Sequence, residues 1–599
     1  VFLPLTMVTG MAGVLFRQLG WIVSIIMIIS TTAALTLTPM LASKMMRLDP
    51  KKGRLFILFY SPIEKALDAL DVAYARLLKW SVRHRKTVIG LITLIFAASL
   101  MLLPVIKTEF FPTQDNARIG IKIELPVGTR QEISREFALK INKEFMNKYP
   151  EIETCNFSSG QADTDNAWAS MSDNGTHIMN FNISLSSIAE RERGLTEICD
   201  LMREDLNKYT EIKTFEVIAG GSNGSLEGQR TVDVEIYGYD FALTDSVARE
   251  LSARMQKLKG CSQVTVSRGD YIPEYQIDFD REKLALNGLN VSSASQSLRS
   301  RINGITASYY REEGEEYDIR VRYAPEFRQS IEDIENILIY NNQGKGIRIR
   351  ELGKVVERMT PPTIERKDRE RIVTISGYVG KGAALSELVS QTRAEIKKMS
   401  IPSEISHVIG GAYEDQQETF ADLGLLMALI VILIFIVMAS QFESLIDPFV
   451  IMFSIPFAFT GVFMGLAITN TPLSVMALIG VIMLLGIVVK NGIVLIDYMI
   501  LCRERGMGII GAAVTAGKSR LRPVLMTTMT TVLGMIPMAV GTGEGAEMWR
   551  PMGMTVAWGL AVSTVITLII VPVVYSVFAA NGVKRKRRKH AKLIQLDQL

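Results

Sequence analysis

A lone lysine, Lys490, stands in a mainly apolar run from Leu473 to Ile500. An ammonium group at the centre of a membrane-spanning helix costs about 2.5–3.5 kcal/mol on insertion scales, so such residues usually face a helix bundle and mark ion or proton paths. The end of the run lies about 15 Å away at helical rise, which is far for a lysine that snorkels to the surface. We therefore predict that Lys490 is a buried functional charge on such a path.

Other polar positions could serve the same path. Asp497 lies two helical turns after Lys490 on the same side, and it is either a secondary candidate or a solvated residue near the helix end. In a later apolar segment, Thr527, Thr531 and Gly534 recur at a spacing that places them on one helix face. That face either lines the path or forms a seam of small residues that packs against another helix.

Motifs for other chemistry do not occur in this sequence. Its four histidines are scattered, and we find no Walker, HExxH, GxSxG or dinucleotide-binding pattern. We therefore expect no enzyme activity, no cofactor and no metal, and we expect an ion gradient as the energy source unless a partner supplies an ATPase. A net charge of +4 gives no global basic field for nucleic acid.

The four cysteines are Cys155, Cys199, Cys261 and Cys502, and none forms a CxxC pair. Disulfides among the first three are possible, although their spacing does not indicate any.

Seven complete apolar segments are long enough to cross about 30 Å of hydrocarbon, which needs roughly 20 residues. They lie near 19–41, 87–106, 420–439, 446–468, 473–500, 523–541 and 552–579. As domains, we predict transmembrane helices at 10–43 and 87–106 and five more within 417–580. Residues 1–9 are interpreted as the end of a truncated transmembrane helix, so we expect the chain to be a fragment.

Basic residues indicate the orientation of these spans. They cluster in 44–86, in 503–522 and in the tail 581–599, whereas the loops 469–472 and 541–549 carry no such cluster. The positive-inside rule places the clusters in the cytoplasm. Within 44–86, apolar residues between 55 and 80 recur at helical spacing beside charges. This pattern predicts either an amphipathic helix on the inner membrane surface or a connector helix packed on the bundle.

The region 107–416 falls on the outer face and is too long for a loop, so it must fold. Strand and helix patterns alternate as βαββαβ in 107–218, which is the ferredoxin-like plan. The same order recurs across 219–272 and 356–414, interrupted by 273–355. The predicted fold is a membrane α-helical bundle plus an α+β outer domain of ferredoxin-like subdomains with an inserted mixed α/β subdomain.

Several short motifs keep a characteristic order along the chain. They are Val1–Pro4, Phe16–Gln18, Ala34–Pro39, Ser440–Ser444, Gly486–Asn491, Arg520–Thr527 and Gly541–Gly543. Together they resemble the resistance-nodulation-division efflux transporters, in the branch that exports hydrophobic and amphiphilic compounds from Gram-negative bacteria. The resemblance covers nearly the whole chain and corresponds to the C-terminal half, or slightly more, of a family member.

The resemblance implies roles for three residues in a proton relay. Lys490 matches the membrane lysine that pairs with two aspartates on a helix of the N-terminal half, a helix that this sequence lacks. Thr527 matches a polar residue of the relay, and Arg520 matches an arginine at its cytoplasmic mouth. The outer subdomains 107–218 and 219–272 with 356–414 would be the porter part, and 273–355 the docking part.

The resemblance also implies a proton antiporter in the bacterial inner membrane with a large periplasmic domain. Its partners would be a periplasmic adaptor, an outer-membrane channel, two further copies in a homotrimer, small amphiphilic substrates and protons. A heavy-metal exporter of the same superfamily stays an alternative, as does a non-transporting receptor or export accessory. The intramembrane Lys490 argues for ion coupling against a receptor.

Overall fold

The computed structural model describes most of the chain. The described residues are 2–7, 10–45, 54–112, 114–160, 175–220, 231–361, 363–380 and 383–596. They form two compact units, one of 1–236, 242–265 and 375–599 and the other of 237–241 and 266–374.

The chain starts with a 3-10 helix at Leu3–Met7, where the sequence predicted the end of a long membrane helix over 1–9. Pro4 has no backbone N–H, and Leu5 N donates to Phe2 O at 3.2 Å in the tighter pattern. Three helices follow in chain order: α1 (Gly10–Met45), α2 (Arg54–Arg83) and α3 (Arg85–Leu100).

The first outer sheet repeats the predicted alternation. Its elements are β1 (Arg118–Glu124), α4 (Gln131–Lys148), β2 (Ile152–Gly160), β3 (Gly175–Leu185), α5 (Leu195–Leu206) and β4 (Thr214–Ala219). The strand order is β2-β3-β1-β4, with every neighbouring pair antiparallel. Ile119, Ile121 and Ile123 alternate along β1 and are fully buried against the two helices, as a period of two predicts for a sheet covered on one face.

The next elements are β5 (Thr231–Tyr237), α6 (Phe241–Met255) and β6 (Cys261–Val266). The chain then enters the segment that the sequence analysis placed at 273–355. Its elements are β7 (Ile272–Phe279), α7 (Arg281–Leu286), α8 (Val291–Ile302), β8 (Ile305–Glu312), β9 (Glu315–Val321), α9 (Ile331–Asn336), β10 (Leu338–Tyr340), β11 (Gly346–Arg348), α10 (Ile349–Leu352) and β12 (Gly353–Thr360).

An antiparallel ribbon bounds this segment, because β7 pairs with β12 from Ile272↔Thr360 to Phe279↔Gly353. The ribbon extends beyond the predicted boundaries 273 and 355 and reaches Ile272 and Thr360. A small core forms around Leu284, Ile339 and Leu352. The sequence analysis missed β8, whose residues are all exposed and pair only with the equally exposed β9 among the described residues.

The second outer sheet is completed by β13 (Glu365–Lys367), β14 (Glu370–Val379), α11 (Leu385–Lys398) and β15 (Ser406–Gly410). Its order is β13-β14-β5-β15, and β6 also pairs with β14. The path β6-β14-β5-β15 therefore repeats the order of the first sheet.

The chain ends in the membrane helices α12 (Ala412–Phe442), α13 (Ile446–Met452), α14 (Ile455–Ile468), α15 (Val475–Glu504), α16 (Ile509–Val540) and α17 (Ala546–Leu596). Within the described residues, seven helical segments are long and apolar enough to span a membrane: α1, α3, α12, α13 with α14, α15, α16 and α17. Each overlaps one of the seven segments expected from the sequence.

Helix α17 is the centre of this bundle and packs on α14, α15 and α16. Its contact with α14 is close because Gly461 and Gly465 face Trp558. A Cβ at Gly465 would lie 2.5 Å from Trp558 Cβ, and one at Gly461 would lie 2.7 Å from Trp558 O. The pair is a GxxxG motif, which lets two helix backbones approach in a membrane.

Helix α2 has one face on the bundle and one face exposed. Tyr74, Leu78 and Val82 are buried, and α2 packs along α16 and α17. Leu77 and Trp80 on the other side are exposed. The packed face agrees with the connector alternative, and the exposed apolar face is what the membrane-surface alternative requires.

All four cysteines have free thiols.

Candidate functional site

Lys490 lies at the middle of α15. The side chain of Ser474 caps the helix start by accepting a hydrogen bond from Ala477 N at 3.3 Å, and the helix ends at Glu504. At helical rise, Lys490 is about 21 Å from Glu504. Most of α15 is buried, but an exposed stripe runs along it through Lys490, Asp497 and Leu501. This spacing of seven and then four residues marks one helix face.

The structure places Lys490 on that exposed face, whereas the sequence analysis expected it inside the bundle. No carboxylate of a described residue lies within 4 Å of its ammonium nitrogen. The apolar run around Lys490 indicates that its charge lies at membrane depth. The run does not indicate to which side of the helix bundle the lysine turns. Asp497 is exposed on the same face, two turns nearer to the helix end.

A polar contact missed by the sequence analysis lies directly beside Lys490. The amide of Asn491 donates to Thr564 Oγ1 of α17 at 3.4 Å, and Thr528 Oγ1 of α16 lies 3.2 Å from the same oxygen. All three side chains are buried. We call this set the threonine hub. The threonine hub connects three helices. The sequence feature that could have indicated it is the asparagine next to Lys490 in an apolar run.

Thr527 precedes the hub residue Thr528 and is exposed. Its hydroxyl donates to Val524 O at 3.0 Å, and that of Thr531 donates to Thr527 O at 2.9 Å, so both are satisfied within their own helix. Gly534 is exposed, and a Cβ there would meet nothing within 4 Å among the described residues. Among the described residues, this face therefore packs against no other helix at Gly534, and its two hydroxyls bond within α16.

Arg520 lies one turn before Pro523 in α16. Its guanidinium carbon is 4.6 Å from the centre of the Tyr498 ring on α15, which is a cation–π contact. Its Nε is buried and has no hydrogen-bond partner among the described residues. Arg520 therefore links α16 to α15 at the residue that follows Asp497.

The site thus consists of two neighbouring helices whose inner sides are tied to α17 and whose outer sides each carry a polar residue, Lys490 on α15 and Thr527 on α16. Asn491 and Thr528 point inward to the threonine hub, while Lys490 and Thr527, each one residue earlier, are exposed. An acidic side chain facing this surface would pair with the ammonium of Lys490, and a change in that acid's protonation would alter the charge balance.

Comparison with known proteins identifies similarity along nearly the whole chain. The sequence profile of the AcrB/AcrD/AcrF family matches residues 1–579. The chain is 27% identical over 588 residues to the multidrug resistance protein MdtC of Yersinia pestis bv. Antiqua (strain Angola), covering 96% of this chain and 55% of that protein. MdtC of Yersinia pseudotuberculosis serotype IB (strain PB1/+) matches to the same extent. The chain spans about half the length of these curated relatives.

Solved structures show the same fold. Two crystal forms of a heavy metal efflux pump superpose on the chain with TM-scores of 0.71 and 0.74. Their sequence identities are 24% and 23%, and they cover 86% and 97% of this chain but 52% and 56% of the pump. At this identity the likeness shows the fold alone.

Proposed function

The chain belongs to the AcrB/AcrD/AcrF family of efflux transporters, and from this premise we propose that it takes part in proton-driven export of hydrophobic and amphiphilic compounds across the Gram-negative envelope. The exporter would be an antiporter in the inner membrane, with the outer sheets in the periplasm. No enzyme activity is proposed. Protons would enter from the periplasm, and each proton moving down 100 mV supplies about 2.3 kcal/mol.

The observation that carries this proposal is the position of Lys490. It is exposed at mid-depth of a helix whose other faces are buried, and no acid of the described residues pairs with it. An ammonium left in hydrocarbon is costly, so this face must receive a carboxylate from another part of the protein. We propose that the two adjacent aspartates implied by the resemblance occupy it.

Proton coupling follows from this pairing. An ionised carboxylate beside Lys490 offsets the cost of removing both charges from water. Protonation cancels the carboxylate charge and releases the lysine, and this charge event shifts a two-state element. Thr527 is exposed on the neighbouring helix, and we propose that it joins the relay. Arg520 would hold the cytoplasmic end through Tyr498, with Asp497 as a secondary candidate on the same face.

The outer region also has proposed roles in the transport assembly. We propose that 107–218 is one ferredoxin-like porter subdomain and that 219–272 with 356–414 is a second, because the strand order β2-β3-β1-β4 recurs as β6-β14-β5-β15. The segment bounded by β7 and β12 would be the docking subdomain. A periplasmic adaptor and an outer-membrane channel would complete a tripartite pump for small amphiphilic substrates.

The exposed hairpin of β8 and β9 supports self-association, and we propose that the assembly is a homotrimer. A lone two-stranded hairpin is marginally stable in water. Its strands nevertheless carry Tyr309, Tyr310 and Tyr317 on the surface, each more than half exposed. Burial of these rings against a second copy would stabilise both the hairpin and the assembly.

Lys490→Ala in the full-length protein tests the proposed function. We expect normal amounts of assembled protein in the membrane and no dye export from intact cells. Lys518→Ala, which removes an exposed lysine near the cytoplasmic end of α16, is the matched control and should export normally. Normal efflux by Lys490→Ala would remove the proposed role.

The heavy-metal alternative is tested with the same strains. Cells that lack the protein should become sensitive to dyes and detergents. Sensitivity to metal ions without any dye phenotype would instead favour the metal exporter.

A further inference from the structure

Helix α2 makes specific polar contacts with α16 and α17, on the cytoplasmic side of the proposed relay. The residues that make them are Asp71 and Tyr74, both on its buried face and each 8% exposed. The sequence analysis assigned no role to either residue, because their partners lie more than 400 positions away in the chain.

The first contact is an ion pair with α16. Arg522 donates from Nε to Asp71 Oδ2 at 2.9 Å and from Nη2 to Asp68 Oδ1. The side chain of Asp68 is 65% exposed, whereas that of Asp71 is 11% exposed. Among the described residues, Asp71 Oδ1 is buried and accepts no hydrogen bond. Arg522 is therefore the group that offsets the cost of burying the Asp71 charge.

The second contact involves a carbonyl of α17 that its own helix cannot satisfy. Pro572 lies inside α17 and has no N–H, so the carbonyl four residues earlier, Leu568 O, lacks its helical donor. Tyr74 OH donates to this oxygen at 2.7 Å, and the contact is buried. An unpaired carbonyl at this depth would cost free energy, so Tyr74 stabilises α17 at its proline.

Close packing fixes the register of these contacts. A Cβ at Gly517 of α16 would lie 2.5 Å from Leu78 Cδ2 and 3.0 Å from Tyr74 Cε1. The backbone of α16 thus touches α2 directly, five residues before Arg522. A slide or rotation of α16 against α2 would break the ion pair and the packing together.

These contacts reach the relay through rigid helices. Arg520, which stacks on Tyr498, lies two residues before Arg522. The hub residue Thr528 lies six residues after Arg522. α17 carries Thr564 one turn before Leu568. Because α2 holds α16 at Arg522 and α17 at Leu568, it sets how these two helices are rotated where they contact α15.

We propose that α2 is a brace for the relay, with Asp71 and Tyr74 as positioning residues that hold the cytoplasmic halves of α16 and α17. The proposal rests on the proposed function, because it assigns these residues to the same relay. Neither side chain contacts Lys490 or Thr527, so both act through the helices that they hold.

The test uses Asp71→Asn and Tyr74→Phe in the full-length protein, since each keeps the side-chain shape and removes one interaction. We expect normal protein amounts in the membrane, a maximum export rate lowered by about tenfold, within the range of couplings carried through packed helices, and an unchanged half-saturating dye concentration. Asp71→Glu, which keeps the carboxylate, should restore most of the rate. Asp68→Asn removes the exposed partner of the same arginine and should stay within about twofold of the wild type.

Unchanged maximum rates in both Asp71→Asn and Tyr74→Phe would overturn the proposal. A loss that merely follows protein amount, with no recovery in Asp71→Glu, would overturn it as well. Amide hydrogen exchange of the purified full-length protein gives a readout independent of export. Protection of α2 and of α16 near Arg522 should fall in Asp71→Asn and stay normal in Asp68→Asn and in Lys490→Ala. Normal export by Lys490→Ala would contradict the proposed function, whereas normal exchange in Asp71→Asn would contradict the brace.

Discussion

The side-chain amide of Asn491 lies 3.4 Å from the hydroxyl oxygen of Thr564, which joins the helix of Lys490 to the central helix of the bundle. Thr564 also donates to Leu560 O at 2.7 Å and lies 3.2 Å from Thr528 Oγ1. One hydroxyl thus serves three elements of the bundle. Because Lys490 directly precedes Asn491, the threonine hub also sets which side of α15 the lysine occupies.

Thr564→Val should destabilise the bundle without changing its packing volume. Interhelical hydrogen bonds in membranes average about 0.6 kcal/mol, and this variant removes two while leaving the Asn491 amide unpaired, so we expect a loss of about 1–2 kcal/mol. Thr531→Val is the matched control, since among the described residues Thr531 is bonded only within its own helix. The midpoint of thermal unfolding in detergent measures both. Equal midpoints would show that the hub contributes nothing.

Gly465→Ala should loosen the contact between α14 and α17. The added methyl would lie 2.5 Å from Trp558 Cβ and 2.6 Å from its Cγ, which are not the far end of a flexible chain. Such overpacking costs about 1–3 kcal/mol. A Cβ at Gly511 would meet no described residue within 4 Å, so Gly511→Ala should be neutral or slightly stabilising through helix propensity. Unfolding of the two variants in detergent compares these costs, and a stable Gly465→Ala would contradict the close approach.

Asp205 of the first outer subdomain should contribute stability that depends on acidity. Burial raises the pKa of its carboxyl, but hydrogen bonds from Lys148, Lys208 and Tyr149 outweigh burial and lower that pKa from 3.8 to about 2. A depressed pKa in the folded state means that the contribution is fully present above pH 3.8 and is lost as the pH falls toward 2.

Asp205→Asn should therefore lower the free energy of unfolding of this subdomain by about 1–2 kcal/mol at neutral pH. The cost should shrink as the pH approaches 2. Asp200→Asn removes a more exposed carboxylate that has a single cationic partner, Arg203, and should cost less than about 1 kcal/mol. Urea-dependent amide exchange of α5, followed at pH 7 and at pH 3, separates the two. A pH-independent cost for Asp205→Asn would argue against the ion pairs as its source.

The hairpin of β8 and β9 should contribute to self-association. Tyr310 and Tyr317 lie on opposite strands with ring centres 6.5 Å apart, and both are exposed. Buried aromatic anchors at interfaces contribute about 2 kcal/mol or more each. The double substitution Tyr310→Ser with Tyr317→Ser should shift the purified protein toward smaller assemblies in native mass measurements. Tyr275→Ser, at an exposed tyrosine outside the hairpin, is the control. An unshifted trimer in the hairpin variant would exclude this contact.

Local pattern in the sequence was enough for many elements of the fold. The alternation of Ile119, Ile121 and Ile123 predicts β1, because a period of two puts one face of a strand in the core. Continuous apolar runs predict the membrane helices, since length and hydropathy are properties of the segment alone. The sequence analysis missed the hairpin strand β8, whose residues are all exposed.

Spacing in the sequence also singled out Lys490, because a charge in an apolar run is costly wherever its helix packs. Only the tertiary structure decided to which side that lysine turns and which groups hold its helix. The partners of Asn491, Arg522 and Tyr74 lie 73, 451 and 494 residues away. Contacts of this kind depend on helix rotation and packing between distant segments, and no local period in the amino-acid sequence encodes them.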